Sequence, residues 1–360
     1  MGRVEDTGHI SVTGSISDKG AVHVHPPPAR AFQGARVIFM STPPRLRITA
    51  RGVQIALGVM WLLDGLFQFK SFMYTHGIVT EVFGPAAEKQ WSIVGGPMKT
   101  FDNFYGHDLT LWNTLAGEIQ VAIGLGLILS RKTVKPALLV SFGWALIVWW
   151  FGEGFGALTS TTLPSPLMGA PGAVILYAII GLLVYPTSKR EGRSPADLGP
   201  LGDRGGLCAW SGLWALSAGL WLVNVNRAKG ATHEMIKAMA KASPHWLARF
   251  QNSVGNHTQG HGTTIAVVLA IISVAVAVGV WTPLRSPALA VGIVLSLAYW
   301  VFGQDLGGPF WADSATDLNS GPLFVLLAFA LFPVAQVARA TEPARVDGAA
   351  ERRVSEVGVA

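Results

Sequence analysis

Three carboxylates occupy positions where a carboxylate is costly: Asp64 in LLDGLFQFK, Glu118 in LAGEIQVAIG and Glu153 in WWFGEGFG. An ionisable side chain at the centre of a membrane helix costs about 2.5–3.5 kcal/mol on insertion scales, so such a group is rarely idle. Read as helices, the runs holding Asp64 and Glu118 place each acid six residues from an outer end, at Lys70 and Trp112. At 1.5 Å per residue both lie ~9 Å below that surface. The spacing predicts that they face one another at one depth, where two carboxylates in low dielectric share a proton. Trp61 and Gln68 fall three and four residues from Asp64, and Thr114 four residues from Glu118, each on its acid's own face. Glu153 ends a third apolar run on the same side, and Lys70, His76 and His107 stand in the adjoining loop as cations for these acids. The expected site therefore has Asp64, Glu118 and Glu153 handling protons, with Trp61, Gln68, Lys70, Trp112 and Trp149 around a ligand. The alternative for the same residues is structural, with acids bonding neighbouring helices near their ends.

The elements that must position these groups are membrane helices. Of the 360 residues half are hydrophobic and only 13% charged, with a mean hydropathy of +0.42; soluble domains carry about 25% charged residues. Apolar runs mark eight spans: 53–69, 112–130, 136–152, 172–185, 206–223, 263–281, 287–303 and 322–334. Arg45, Arg47, Arg51, Arg131, Lys132, Lys135, Lys189, Arg190, Arg193, Arg204, Arg285 and Arg339 then share one side, which reads as cytoplasmic together with both termini. The net charge of +6 thus reflects membrane orientation, with no nucleic-acid partner implied. Against this, the segment 226–262 carries Arg227, Lys229, Lys237, Lys241 and Arg249 outside; its apolar positions predict an amphipathic helix on the membrane, broken near Pro244.

The chain also repeats itself. Residues 136–152 set against 287–303 without gaps give eight identities in 17 positions: Pro136/Pro287, Ala137/Ala288, Leu138/Leu289, Val140/Val291, Leu146/Leu297, Trp149/Trp300, Phe151/Phe302 and Gly152/Gly303. The fold expected is an all-α integral membrane protein with eight transmembrane helices in two parallel four-helix repeats. Its parts are a disordered tail at 1–45 (with Met40 as an alternative start), a first repeat at 46–186, a linker at 187–205, a second repeat at 206–336 and a tail at 337–360. In the second repeat Asp64 is matched by Ser217, Glu118 by Leu269 and Glu153 by Gln304, so the first copy keeps the chemistry and the second the scaffold.

Other residues carry weaker signals. Cys208 is a lone cysteine, which excludes an intrachain disulfide. His233, His245, His257 and His261 cluster in the second outer loop, but NHTQGHG reads as solvated loop more readily than as a metal pair. Asp313 and Asp317 in WADSATDLNSGP lack calcium-loop spacing and are expected to cap the eighth helix. Gly124 and Gly126 favour close helix packing. No phosphate loop, serine-nucleophile motif or haem-type His pair within the helices is visible.

The stretches ALGVMWLLDGLFQFK and LAGEIQVAIGLGLILSRKTVKPALLVS resemble the opening helices of the DoxX/DoxD family of four-helix membrane proteins, with Lys70 and Glu118 at matching positions. The likeness covers 53–185, with a degenerate copy after Gly206; doubling, long outer loops and Asp64 depart from the family unit. The resemblance implies a multi-pass plasma-membrane subunit of a quinone-linked redox system, with a quinone as the possible cofactor and an oxidoreductase subunit as partner. A proton-coupled transporter of a small solute and a non-catalytic membrane scaffold are the alternatives.

Overall fold

A computed structural model describes residues 48–162, 164–187 and 192–333. The terminal tails, with Arg45, Arg47 and Arg339, and the linker cations Lys189 and Arg190 lie outside the described residues. Among those described, the regular structure is helical, with one isolated bridge between Gln90 and Ser160.

The first half contains α1 (Ala50–Phe67), α2 (Gly84–Glu88), α3 (Ser92–His107), α4 (Leu109–Leu129), α5 (Val134–Ile147) and α6 (Val174–Val184). The second contains α7 (Gly202–Leu222), α8 (Asn224–Arg227), α9 (Ala231–Ala242), α10 (His245–Thr258), α11 (Gly262–Gly279), α12 (Arg285–Gly303) and α13 (Ser320–Leu331). Local signals set the ends. Thr49 and Asp108 cap α1 and α4 by accepting from Gly52 N and Leu111 N at 3.0 Å, which satisfies donors that a helix start leaves free. Pro136 and Pro287 sit in the first turns of α5 and α12, where proline's missing N–H is harmless.

Among the described residues, five stretches are long and apolar enough to cross a membrane: Ala50–Phe67, Leu109–Leu129, Val134–Gly152, Gly262–Gly279 and Arg285–Gly303. Helices α6 and α13 are apolar but shorter. In the first half α1 packs on α4, α4 on α5, α5 on α6, and α6 back on α1. In the second, α7 packs on α11, α11 on α12, α12 on α13, and α13 on α7. The two rings touch through α6, α13, α1 and α7.

The closest helix pair is α1 on α4. A Cβ built on Gly58 or Gly65 would lie 2.9 Å from the carbonyl of Gly124 or Gly117, so the backbones touch because side chains are absent. Gly126 performs the same service toward Ala137 of α5, as the glycine pattern predicts. The connections α1–α4 and α7–α11 hold more helix than their sequences suggest. The break between α9 and α10 falls at Ser243–Pro244 as expected, but α10 runs on through His257, so part of NHTQGHG is helical. Helix α3 lies between α1 and α4, unmarked by any long apolar run.

Candidate functional site

Helix α5 does not stop cleanly. Its last turn widens into a π-turn over Val148–Gly152 and delivers Glu153 to the open end of the first ring. Glu153 Oε1 accepts from Ala173 N at 3.0 Å and Val174 N at 3.1 Å, so the carboxylate caps α6 from across the bundle. Anions are favoured at helix N-termini. Its second oxygen, Oε2, is buried and has no partner among the described residues.

Gln304 makes the corresponding contacts in the second half. Its Oε1 accepts from Gly321 N at 3.0 Å and Ser320 Oγ at 3.2 Å, at the start of α13. Trp149 and Trp300 also behave alike: their indole N–H groups donate to Pro171 O at 3.0 Å and Leu318 O at 2.7 Å, just ahead of α6 and α13. A third parallel involves Trp61, which packs on Tyr177 of α6 at 4.3 Å, and Trp214, which packs on Phe324 of α13 at 5.7 Å. Counted from the capped N–H groups of Val174 and Gly321, Tyr177 and Phe324 occupy the same position. The tyrosine hydroxyl matters because it donates to Asp64. Asp64 is only 5% exposed, and its other oxygen is unpartnered. The second half has Ser217 and Phe324 in place of this acid–phenol pair.

A cavity of about 290 Å³ opens beside Glu153. Its walls are Phe83, Phe101, Tyr105, Trp144 and Phe151, with the amides of Gln68, Gln120 and Asn319 among the polar groups. The remaining wall comes from the second half: residues of the α12–α13 connection, including Ala315, Thr316 and Asp317, close the cavity. Lys70 holds this strap, donating to Ala312 O at 2.9 Å and Ala315 O at 2.8 Å. Phe310 rests on Phe67 with its ring at 5.3 Å, edge to face. Both ends of the strap are conformationally demanding, since Asp305, Leu306 and Asn319 all have positive φ.

Asp317 Oδ1 accepts from Asn319 N at 2.5 Å. Glu153 and Asp317 are enclosed by protein and both line the cavity, with Glu153 Oε2 itself shielded beside Gly172. Burial first, and the Asp317 charge second, push Glu153 up to about 8, against the pull of the Val174 and Ala173 N–H groups. Burial raises Asp317 as well, partly offset by the Asn319 N–H. Lys70 is lowered by burial, and Asp313 opposes the shift. The cavity thus offers two carboxyl groups whose proton affinity burial raises, among aromatic walls and amides.

The expected site is therefore partly assembled and partly redistributed. Asp64 is buried and Glu153 and Gln68 face the cavity, whereas Glu118 is exposed. The reason lies in α4, whose Gly117 and Gly124 must face α1 while Ala116 and Gln120 face the cavity, which turns Glu118 outward. Trp112 packs on Phe104 at 4.5 Å, behind Met73, Ile78 and Tyr105, and is not itself a lining residue of the cavity. Trp149 clamps the Pro171 carbonyl and Trp61 stacks on Tyr177, so neither is a cavity wall. Lys70 serves backbone carbonyls of the strap; His76 and His107 are exposed. Thr114 meets Tyr74 Oη at 3.3 Å. On α9 and α10, His233 and His257 use their Nδ1 atoms on the Gly255 and Ser253 carbonyls.

The sequence pointed to Asp317 only as part of a helix cap and gave no sign of Tyr177. Asn319 does cap α13, accepting from Ser320 N at 2.7 Å, but the turn also carries Asp317 into the other half's cavity. A position-by-position reading of the two caps would have found Tyr177 opposite Phe324. Comparison of this chain with protein-family models, with curated proteins and with solved structures returns no match.

Proposed function

We propose that this chain is a multi-pass membrane protein of DoxX/DoxD-like construction whose cavity binds the head of a quinol and receives its protons, as a subunit of a quinone-linked redox system. The observation that carries the reading is the pairing of Glu153 and Asp317 at one aromatic-walled cavity. A quinol presents two hydroxyl donors, which carboxylate oxygens accept. Its oxidised form presents two carbonyl acceptors, which Gln68, Gln120 and Asn319 amides serve. A volume near 290 Å³ is at the small end for ligand pockets, suited to a single ring rather than a large polar solute. Electrons would leave to a flavin- or haem-bearing oxidoreductase partner.

In this reading α1, α4, α5 and α6 form one transmembrane unit and α7, α11, α12 and α13 a second of the same orientation. The recurring caps, indole clamps and ring closures support a duplication. It puts Arg131, Lys132, Lys135, Arg193, Arg204 and Arg285 on the cytoplasmic side of the plasma membrane and the cavity on the outer side. The second copy contributes Asp317 and the strap as well as scaffold. Proton-coupled transport of a small solute is the second reading, favoured by one feature: a cover from one unit lies over the cavity of the other.

The test is titration of the purified protein with a short-chain quinol, followed by quenching of tryptophan fluorescence from Trp144 at the cavity wall. Above about pH 8, where Glu153 is ionised, a hydrogen bond to the carboxylate contributes about 1.5–3 kcal/mol, so Glu153→Gln with Asp317→Asn should weaken binding by roughly 10- to 100-fold or more. Equal affinity in the double variant would remove the proposal.

A further inference from the structure

Two acidic residues lie within the five apolar spans, Asp64 and Glu118. Asp64 turns inward to Tyr177. Glu118 turns outward. From Leu111 onward the exposed residues of α4 are spaced alternately by four and three: Leu111, Leu115, Glu118, Ala122, Leu125 and Leu129. That is the period of a seam on which a second helix packs with left-handed crossing. Glu118 is the tenth of the 21 residues of α4, at the centre of the seam. No hydrogen bond or ion pair reaches its carboxylate from the described residues. If α4 spans the bilayer, as the proposed function holds, this carboxylate faces lipid near mid-depth, where ionisable groups pair with a partner rather than with hydrocarbon.

We propose that the outward seam of α4 is a docking surface for a transmembrane helix of another protein, one that carries a lysine or arginine opposite Glu118. A second copy of this chain does not fit. The basic residues in the five spans, Arg51, Lys135 and Arg285, all lie in the first turn of their helices. None stands at the depth of Glu118, and two copies meeting on this seam would set carboxylate against carboxylate. Leucines above and below provide the apolar contact, and Glu118 sets register and partner choice, because a mismatched helix would leave the charge unpaired.

The test is photocrosslinking in the native membrane, with a benzophenone amino acid placed at Leu115 or Ala122 and, as control, at exposed Val294 of α12. The account predicts a discrete protein adduct at both α4 positions and none at Val294. The crosslinked peptide, once sequenced, should be an apolar helix with a basic residue within one turn of the crosslink. Glu118→Leu should cut the adduct at least about tenfold, since it removes the charge and keeps the seam apolar. The same variant should melt no lower than the parent, which separates lost docking from misfolding. Retained quinol affinity in that variant would show that docking fails independently of the cavity. Adducts to lipid alone, adducts to a second copy, a partner peptide without a basic residue, or an adduct unchanged by Glu118→Leu would each overturn the proposal.

Discussion

Replacing Glu153 by glutamine changes one property of the site and keeps another. The cap survives, because Gln304 already shows an amide oxygen accepting two hydrogen bonds at the equivalent helix start. What disappears is an ionisable group whose proton the folded protein holds up to about 8, against an ordinary value of 4.5. The folded state binds that proton more tightly than the unfolded chain does. The associated stability is therefore fully present below about pH 4.5 and is lost as pH rises through about 8. The full difference corresponds to at most ~5 kcal/mol, and water in the cavity screens it, so about 1–3 kcal/mol is expected. The groups facing Glu153 are Asp317 on the strap, Asp64 on α1 and Tyr177 on α6. None supplies a positive charge to reverse the sign. Thermal melts in lipid nanodiscs from pH 5 to 9 give the readout. Glu153→Gln should match the parent near pH 5 and exceed it at pH 9. A parent curve flat across this range, or a variant that melts lower throughout, would refute the reasoning.

Tyr177→Phe strands the Asp64 carboxyl without its donor and should cost about 1–3 kcal/mol in a denaturation experiment. Adding Asp64→Ser recreates the Ser217 and Phe324 pairing of the second half; the double variant should recover about 1 kcal/mol or more in a mutant cycle. Lys70→Met releases the strap from the first half, so hydrogen exchange across 309–318 should rise roughly tenfold, as loss of one to two net hydrogen bonds requires. Exchange in α1 and α12 should stay unchanged. Glu118→Gln should leave quinol affinity within about twofold, since the residue lies outside the cavity and single exposed substitutions rarely reach a distant site.

The apolar helices and their order were legible because runs of apolar residues announce them. The Trp149/Trp300 and Glu153/Gln304 correspondence could be read directly from two nearly identical phrases. Burial was legible for Asp64, but the facing direction of Glu118 was not. Placing Glu118 opposite Asp64 assumed that acids at equal depth point at one another. Helix α4 is rotated instead by its glycine contacts with α1, and the sequence marks those glycines without saying which neighbour they meet. Asp317 reads in sequence as part of a cap and not as a cavity residue, for a different reason. Its turn is local to the second half, while its chemistry belongs to the first, and only the packing of the two rings brings them together. Helix α3 was hidden because its apolar residues are spaced among glycines, a proline and polar groups.

The most direct test of the central claim is mass spectrometry of the small molecules retained when the protein is extracted in its native lipid, compared between the parent and the Glu153→Gln, Asp317→Asn double variant. The account predicts a quinone retained by the parent in near-stoichiometric amount and lost from the double variant. A parent preparation without quinone, or a variant that retains as much, would contradict it.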